Sequence, residues 1–355
     1  MPDIINNLKT LCGIPGISGR ETQVRETIIS MIHGHCDYKT DNMGNLICRK
    51  KGTLGARKHN LMVSAHMDEV GLIVLAITDD GYLRFDTVGG IDPRVLPGVA
   101  VNVDSIIGDS ITGDKITGVI GTKALHHLDS SEKDTAVKIE ELYIDIGAKN
   151  KTQAEKYVKP GASITFLPNF TEFGDGMIRS KALDDRVGCA VMIELIKSEI
   201  KYDTGFAFTV QEEVGTRGSA AAAFELQPDV SLVLEATTAN DIAGVEPVKQ
   251  VCKVNGGTVA VFMDKLNIYD YDLYNKVRDL ADKHNIPCQT KTLIAGGNDS
   301  GTIAKTAGGA RTLALSVPCR YIHTPSNAVL ISEIENMAAL ARLVLDIVCP
   351  ERNKN

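Results

Sequence analysis

The stretch FAFTVQEEVGTRG, Phe206 to Gly218, carries the first signal of both the fold and a site. Its first five residues favour a strand, which runs into the adjacent carboxylates Glu212 and Glu213 and then into a glycine-containing turn. Adjacent like charges repel, and holding them at a strand end in a packed domain costs free energy. The pair therefore indicates either a structural ion pair, with Arg217 as a partner, or a functional site.

Segments on both sides of this stretch alternate between strand and helix patterns. LMVSA (61–65) and VSLVLEAT (230–237) favour strands, whereas RVGCAVMIELIKSEI (186–200) favours a helix. Another helix is predicted near the start of the chain, where Ser18 and Glu21 form a capping-box pattern. Strands that alternate with helices build a mostly parallel sheet with helices on both faces, so we predict the α/β class.

The pattern changes between residues 70 and 172. Short β-rich runs such as ASITFL (162–167) are separated by glycine and Asp-Asp turns, and only KTQAEKYV (151–158) favours a helix. We therefore predict a small all-β domain, 70–172, inserted into a discontinuous α/β domain made of residues 1–69 and 173–355.

Composition limits the class of function. The chain of 355 residues has a net charge of −7 and no dense run of lysine or arginine, which argues against nucleic-acid binding. No apolar run reaches the length of a membrane span, and the first residues lack the apolar core of a signal peptide. The eight cysteines are scattered singly, as is typical of reduced thiols, so we expect a cytoplasmic location.

Histidines and further carboxylates lie at the ends of the predicted elements. They are His66 and Asp68 after LMVSA, Glu235 after SLVL, His323 after TLALSV, and Asp184 and Asp185 before the helix at 186–200. Each has an ordinary structural explanation on its own; the two aspartates, for example, suit a helix N-terminus. Ligands bind beyond the carboxyl ends of the strands in such sheets, so the fold can gather these side chains in one cleft. Imidazoles with carboxylates suit a borderline divalent ion such as zinc or cobalt.

The order of five motifs resembles that of the M42 family of dinuclear metallo-aminopeptidases, the tetrahedral peptidases of which some members are labelled endoglucanases. The motifs are SAHMDEVG (64–71), KALDDRVG (181–188), QEEVGTRG (211–218), LEATTANDIAG (234–244) and RYIHTP (320–325). The resemblance covers essentially the whole chain. It implies a zinc-exopeptidase-like α/β domain wrapped around an inserted β-barrel, and two divalent metal ions per subunit, zinc or cobalt.

The resemblance also implies a role for each site residue. The implied metal ligands are Asp184, shared by both ions, His66 and Glu235 on one ion, and Glu213 and His323 on the other. Glu212 is the implied general base, and Asp68 is implied to hydrogen-bond the second ring nitrogen of His66. A cis peptide bond between Asp184 and Asp185 is implied as well. Many relatives have aspartate at position 235, so the extra methylene of Glu235 leaves the metal preference open.

The implied function is removal of N-terminal residues from peptides, with a hydroxide bridging the two ions as the nucleophile. Dimers that assemble into a dodecamer are implied too, with the inserted domain at the dimer contact. A related metal-dependent deacylase would use the same ligands and stays open. A glycoside hydrolase also uses paired carboxylates, but the chain has no tryptophan to stack on sugars. A non-enzymatic scaffold is expected to lack a ligand or the base, and none is missing.

Two segments, 253–257 and 292–302, align with loops that shape the first substrate pocket in relatives. A lysine or arginine reaching that pocket would select acidic N-termini, and Lys253 and Arg320 are the candidates. A solvated surface charge is the alternative for both residues.

Overall fold

The computed structural model describes residues 2–107 and 110–346. Its strands are β1 (Asp37–Thr40), β2 (Leu46–Lys50), β3 (Leu61–His66), β4 (Gly71–Ile77), β5 (Leu83–Val88), β6 (Ala100–Ile107), β7 (Ser110–Gly121), β8 (Tyr143–Asp145), β9 (Ser163–Phe166), β10 (Thr171–Phe173), β11 (Met177–Ser180), β12 (Thr204–Thr209), β13 (Val230–Thr238), β14 (Thr258–Val261), β15 (Cys288–Thr290), β16 (Arg311–Cys319) and β17 (Asn327–Leu330). Its helices are α1 (Pro2–Cys12), α2 (Thr22–Ile32), α3 (Ser130–Lys133), α4 (Lys151–Ala154), α5 (Leu183–Lys197), α6 (Arg217–Leu226), α7 (Tyr271–Lys283), α8 (Ser300–Ile303) and α9 (Ile331–Leu345). None of the described helices is long and apolar enough to cross a membrane.

A large sheet of eight strands forms the centre of the α/β part, in the order β1-β2-β12-β3-β13-β16-β14-β15. The four middle strands, β12, β3, β13 and β16, run parallel to one another. The β1–β2 hairpin joins one side of this group antiparallel, and β14 joins the other side antiparallel. The parallel centre and its helices confirm the predicted α/β class, and they place four carboxyl strand ends at one edge of the sheet.

Helices cover both faces of the sheet and bury its strands on both sides. Along β3, Leu61, Val63 and Ala65 face one core with α1, α2, α5, α7 and α9, whereas Met62 faces the other core with α6 and α8. Full burial of an aliphatic side chain of this size stabilises the fold by about 1.5–3 kcal/mol. Since β3 is buried along its whole length, the residue at its carboxyl end, His66, is held in a fixed place.

The segment between β3 and β11 contains a closed barrel in the order β4-β5-β8-β7-β6-β9, with every neighbouring pair antiparallel. The barrel has its own hydrophobic core, which includes Leu72, Val101 and Ile164. This confirms the expected β-barrel insertion. All six strands lie within the range 70–172, but the limits of the two domains stay a prediction.

The predicted capping box at the start of α2 is wrong. The helix begins at Thr22, and Glu21 at its N-cap position makes no side-chain capping bond. The hydroxyl of Ser18 instead donates a hydrogen bond to Asp68 Oδ2 at 2.6 Å. Ser18 therefore supports the site residues and does not cap the helix.

Candidate metal centre

Elements of the parallel sheet and one helix bring the predicted site residues to one edge. The residues are His66 at the end of β3, Glu212 and Glu213 after β12, Glu235 in β13, His323 after β16 and Asp184 in the first turn of α5. Glu235 was expected to follow its strand, but β13 continues to Thr238. The other residues lie where the sequence predicts them, because parallel strands end at the same edge.

The carboxylate of Asp184 faces both histidines. Its Oδ1 lies 3.4 Å from His66 Nε2, and its Oδ2 lies 3.4 Å from His323 Nε2. Each imidazole also faces one glutamate. Glu235 Oε2 is 3.8 Å from His66 Nε2, and Glu213 Oε2 is 3.4 Å from His323 Nε2. The five side chains thus form two groups of three that share Asp184.

Asp184 and its neighbour Asp185 have different surroundings. Both have non-helical backbone angles within the first turn of α5, and the peptide bond between them is cis, as the resemblance implies. Asp185 also lies near His66 and Glu235, with potential ligand atoms within 4.8 Å of one another. However, its Oδ2 accepts a hydrogen bond from the backbone N–H of His66, and its Oδ1 accepts one from that of Gly188. Asp184 is therefore the aspartate that is available as a ligand.

Asp68 contacts the second ring nitrogen of His66, as the resemblance implies, and it also binds the backbone of the glutamate pair. The ring Nδ1 of His66 lies 3.0 Å from the backbone oxygen of Asp68 and 3.5 Å from its carboxylate, whose negative charge helps to raise the pKa of the imidazole. The carboxylate accepts hydrogen bonds from the backbone N–H groups of Glu212 and Glu213, at 3.0 and 3.1 Å, and from Ser18. Asp68 thus orients the imidazole with its backbone and its carboxylate, and the same carboxylate fixes the glutamate pair.

The inserted barrel reaches the site through the loop after β5, a contact that sequence reasoning missed. The backbone of Gly90 lies beside the imidazole of His323 and helps to raise its pKa, and a Cβ added at Gly90 would lie 3.8 Å from His323 Nδ1. Gly89 has a φ of +84°, and a Cβ added there would lie 2.8 Å from a methyl carbon of Val70 and 3.2 Å from Glu213 Cβ. Only glycine suits both the backbone angle and the close approach at residue 89. In the sequence, Gly89 and Gly90 resemble an ordinary turn of the β-rich insertion, so they do not predict this contact with the site.

The site carries more negative charge than its imidazoles balance. Burial lowers the pKa of His66, but Glu235 and Asp184 outweigh burial and raise that pKa well above its ordinary value. Burial likewise lowers the pKa of His323, and Asp184 and Glu213 raise it to about 9. Burial raises the pKa of Glu213 to about 7 and that of Glu235 well above the ordinary range. This cluster favours additional positive charge.

Buried oxygen atoms at the site fit a metal centre. Within the described chain, Asp184 Oδ1, Glu213 Oε1 and Glu235 Oε1 are buried and have no hydrogen-bond partner. A buried polar atom left unpaired costs about 1–3 kcal/mol, and more when it is charged. Imidazole nitrogens with carboxylate oxygens form the donor set that zinc and related ions prefer. The residues present therefore fit a metal centre.

Glu212 lines the same cleft as the candidate ligands. Its backbone is fixed by Asp68, as described above, which sets where its side chain starts. Burial raises the pKa of Glu212 well above its ordinary value, and repulsion from Asp299 and Glu213 adds to this effect. A carboxylate that readily accepts a proton is suited to general-base chemistry.

The site opens into a cleft of about 380 Å³. Ala295 to Asn298, within the predicted segment 292–302, contribute to its wall. Lys253 and Arg320 are not among the described residues that line it; Lys253 is exposed, and Arg320 forms two hydrogen bonds to the carboxylate of Asp241. The basic residue in the wall is Lys291, which sequence reasoning missed although it directly precedes the predicted segment.

Comparison with known proteins gives matches over nearly the whole chain. Residues 44–340 match the family described as M42 glutamyl aminopeptidase. A protein of Acetivibrio thermocellus named as an aminopeptidase is 37% identical, over 98% of this chain and 99% of that protein. The lysyl aminopeptidase of Pyrococcus furiosus is 30% identical, over 97% of both chains. Among solved structures, the Pyrococcus horikoshii TET1 peptidase, which can assemble into a tetrahedron or a large octahedral shell, aligns with a TM-score of 0.84 at 35% identity and covers 96% of this chain and 99% of its own.

Proposed function

The chain belongs to the M42 glutamyl aminopeptidase family, and we propose that it removes N-terminal residues from peptides with two divalent metal ions, zinc or cobalt. The observation that carries this proposal is the position of Asp184 between two imidazoles. Each imidazole has a glutamate of its own, so the donor atoms divide into two sets. A single-ion site would not need this duplication.

The proposed ligands form two sets at the buried edge of the sheet. His66 and Glu235 would hold one ion, His323 and Glu213 would hold the other, and Asp184 would contact both. When bound, such ions polarise a peptide carbonyl, lower the pKa of water and stabilise developing negative charge. The chain contributes the positions of the side chains, and that of His66 is fixed because β3, which it ends, is buried along its whole length.

Glu212 is the proposed general base. Its carboxylate would take a proton from the attacking water and return it to the leaving amine. Asp68 supports this assignment, because its carboxylate binds the backbone N–H groups of both Glu212 and Glu213 and so fixes the base relative to a ligand. The two adjacent glutamates would thus have separate roles. A cation would neutralise the negative charge of Glu213, and Glu212 would stay free to accept and return a proton.

The proposed assembly is a dodecamer built from dimers, with residues 70–172 as the oligomerisation domain and residues 1–69 and 173–355 as the catalytic domain. It is supported by the similarity to the Pyrococcus horikoshii TET1 peptidase along nearly the full length of both chains. The mass in solution, measured by light scattering in the presence of zinc or cobalt, tests it. A monomer under those conditions would contradict it.

The function is tested by hydrolysis of amino-acid p-nitroanilides and of their Nα-acetylated counterparts. We expect the metal-loaded chain to hydrolyse the substrates with a free amine, a chelator to abolish this activity, and zinc or cobalt to restore it. A related deacylase would instead release the acyl group from acetylated amino acids. Activity that is indifferent to the chelator, or that requires the acyl group, would contradict an aminopeptidase.

A further inference from the structure

Two basic side chains are buried on either side of Asp184 in the chain. Lys181 lies three residues before it and Arg186 two residues after it. Among the described residues these are the largest side chains that are fully buried, with 1% of Lys181 and 0% of Arg186 exposed. Taking a positive charge out of water costs free energy unless partners inside the protein replace the water. The contacts of Lys181 and Arg186 therefore have to account for two buried charges.

The carboxylate of Glu69 faces both cations. Lys181 Nζ donates hydrogen bonds to both carboxylate oxygens of Glu69, each at 2.7 Å. Arg186 Nη2 lies 3.8 Å from Glu69 Oε1. Glu69 is itself only 2% exposed, so the ion pair is shielded from solvent. Buried ion pairs often stabilise a fold no better than apolar side chains of similar volume, so stability alone does not explain this one.

Both cations also bind backbone oxygens of two other segments. Arg186 Nη1 donates hydrogen bonds to the carbonyls of Leu11 and Ile14. Lys181 Nζ donates one to the carbonyl of Ile14 at 3.2 Å. Arg186 Nε donates one to the carbonyl of Met67 at 2.8 Å. The two side chains thus connect the start of α5 with the end of α1 and with the residue that follows β3.

The connection between α1 and α2 is held against the residues after β3. The backbone N–H of Gly16 donates a hydrogen bond to Glu69 Oε1 at 3.0 Å, and that of Glu69 donates one to the carbonyl of Gly16 at 2.9 Å. A Cβ at Gly16 would lie 2.9 Å from Arg186 Nη2, so glycine permits this close approach. The same connection contains Ser18, which binds Asp68. It lies outside the family match, which begins C-terminal to α2.

Two candidate ligands lie on segments that this cluster joins. Met67, which accepts the hydrogen bond from Arg186, directly follows His66, and Asp184 lies between Lys181 and Arg186. The ligand atoms of a functional site must lie within about 0.5 Å of their productive positions. Apolar contacts have no preferred direction, whereas hydrogen bonds between charged groups have a defined length and geometry. A charged link therefore suits a need for exact register between the two segments.

We propose that the buried ion pair between Glu69 and Lys181 is a positioning element of the metal centre and holds Asp184 in register with His66. The inference rests on the proposed metal-dependent function. Neither residue of the pair touches an ion; both act through the backbone segments that carry the ligands. Because Asp184 is the ligand that both ions share, loss of the pair should weaken both ions, whereas loss of His323 should weaken only its own.

The test uses the double variant Lys181→Met/Glu69→Gln, which removes one charge of each sign and keeps the side chains close to their original size. Cobalt binding is measured by calorimetry, the geometry of the bound ions by their visible absorption spectrum, and stability by thermal unfolding without metal. The affinities of both ions should fall by about 10–100-fold, the loss typical of residues that orient metal ligands. The spectrum should change with the ligand geometry. The unfolding temperature should stay close to that of the unmodified chain, because no unpaired carboxylate is left buried.

A single variant and a matched control separate positioning from stability. Lys181→Met alone leaves the Glu69 carboxylate buried without its main partner, so it should lower the unfolding temperature as well as both cobalt affinities. The control is Arg311→Met, which breaks the partly buried ion pair between Arg311 and Asp270 at the amino end of β16. Its unfolding temperature should fall, whereas its cobalt affinities and spectrum should not change.

The outcomes separate this inference from the function on which it rests. An unmodified chain that binds no cobalt would overturn the proposed function and the inference with it. Unchanged cobalt affinities and spectrum in the double variant, or in Lys181→Met if the double variant does not fold, would overturn the inference alone. A loss confined to one ion would do the same. An equal loss of affinity in the Arg311 control would assign the effect to reduced stability and would also overturn the inference.

Discussion

The two halves of the candidate metal centre are held by different parts of the fold. The side chain of His66 is 1% exposed and is oriented by the backbone of Asp68. His66 is the last residue of β3, a strand buried on both faces. The side chain of His323 is 35% exposed, lies in a loop after β16 with a φ of +59°, and is next to Gly90 of the inserted barrel. The parallel sheet positions the inner half, which contains His66 and Glu235. The outer half, which contains His323 and Glu213, depends on the contact between the sheet and the barrel.

This difference predicts unequal binding at the two positions. The inner ligands are fixed by packing that the fold needs in any case, so little conformational entropy is lost when an ion binds there. The outer ligand His323 is more exposed and lies in a loop, so binding has to order it further. We therefore expect the inner position to bind its ion more tightly and the outer position to exchange first.

The largest expected effect is on turnover and comes from Glu212, which is not a proposed ligand of either ion. Glu212→Gln keeps the size of the side chain but removes its ability to accept a proton. Turnover should fall by about 10²–10⁴-fold, the usual contribution of a general base, while both ions stay bound. The matched control is Glu213→Gln, which should weaken the outer ion and recover part of its activity in excess metal. Metal analysis and turnover of both variants decide this; metal loss from the Glu212 variant alone would reverse the two roles.

The next effect separates the two halves directly. His323→Ala should lower the affinity of the outer ion by more than about 10–100-fold, the loss typical of a residue that only supports a ligand, and leave the inner ion in place. His66→Ala should weaken the inner ion and also destabilise the fold, because it leaves a cavity and unpaired carboxylates in a buried layer. Metal titration by calorimetry and thermal unfolding measure the two effects. Equal losses of metal and stability in both variants would remove the distinction between the halves.

The smallest effect tests whether the barrel supports the outer half. Gly89→Ala adds a Cβ beside Glu213 at a φ of +84°, so the affinity of the outer ion should fall by about 10–100-fold. Gly98→Ala is the matched control: its φ is +81°, but a Cβ there meets no atom within 4 Å. Both variants should lose about 1 kcal/mol of stability from the backbone angle, and the Gly89 variant should lose more because its Cβ also crowds Val70. Unchanged metal affinity in the Gly89 variant would mean that the barrel does not support the centre.

Much of this arrangement could be predicted from the sequence. The alternation of strand and helix patterns predicts a parallel sheet, and in such a sheet residues that end separate strands must lie at one edge. That reasoning places His66, Glu213 and His323 together without knowledge of any distance. The resemblance to a family then adds Asp184 as the shared residue.

The parts that sequence reasoning missed depend on packing between segments. Gly89 and Gly90 act through their backbones, so no side-chain pattern marks them. Lys291 lines the cleft because β15 pairs with β14 at the sheet edge, a pairing that short strand runs do not specify. Arg320 was a candidate to reach the first substrate pocket, but its guanidinium group is bound to Asp241.

The most direct test of the proposed centre is anomalous X-ray diffraction at the zinc absorption edge, from crystals of the chain grown with zinc. Two peaks about 3.5–4 Å apart are expected on either side of Asp184. One should lie between His66 and Glu235 and the other between His323 and Glu213, with the outer peak weaker at limiting zinc. A single peak, two peaks that do not share Asp184, or no peak near these residues would contradict a two-metal centre.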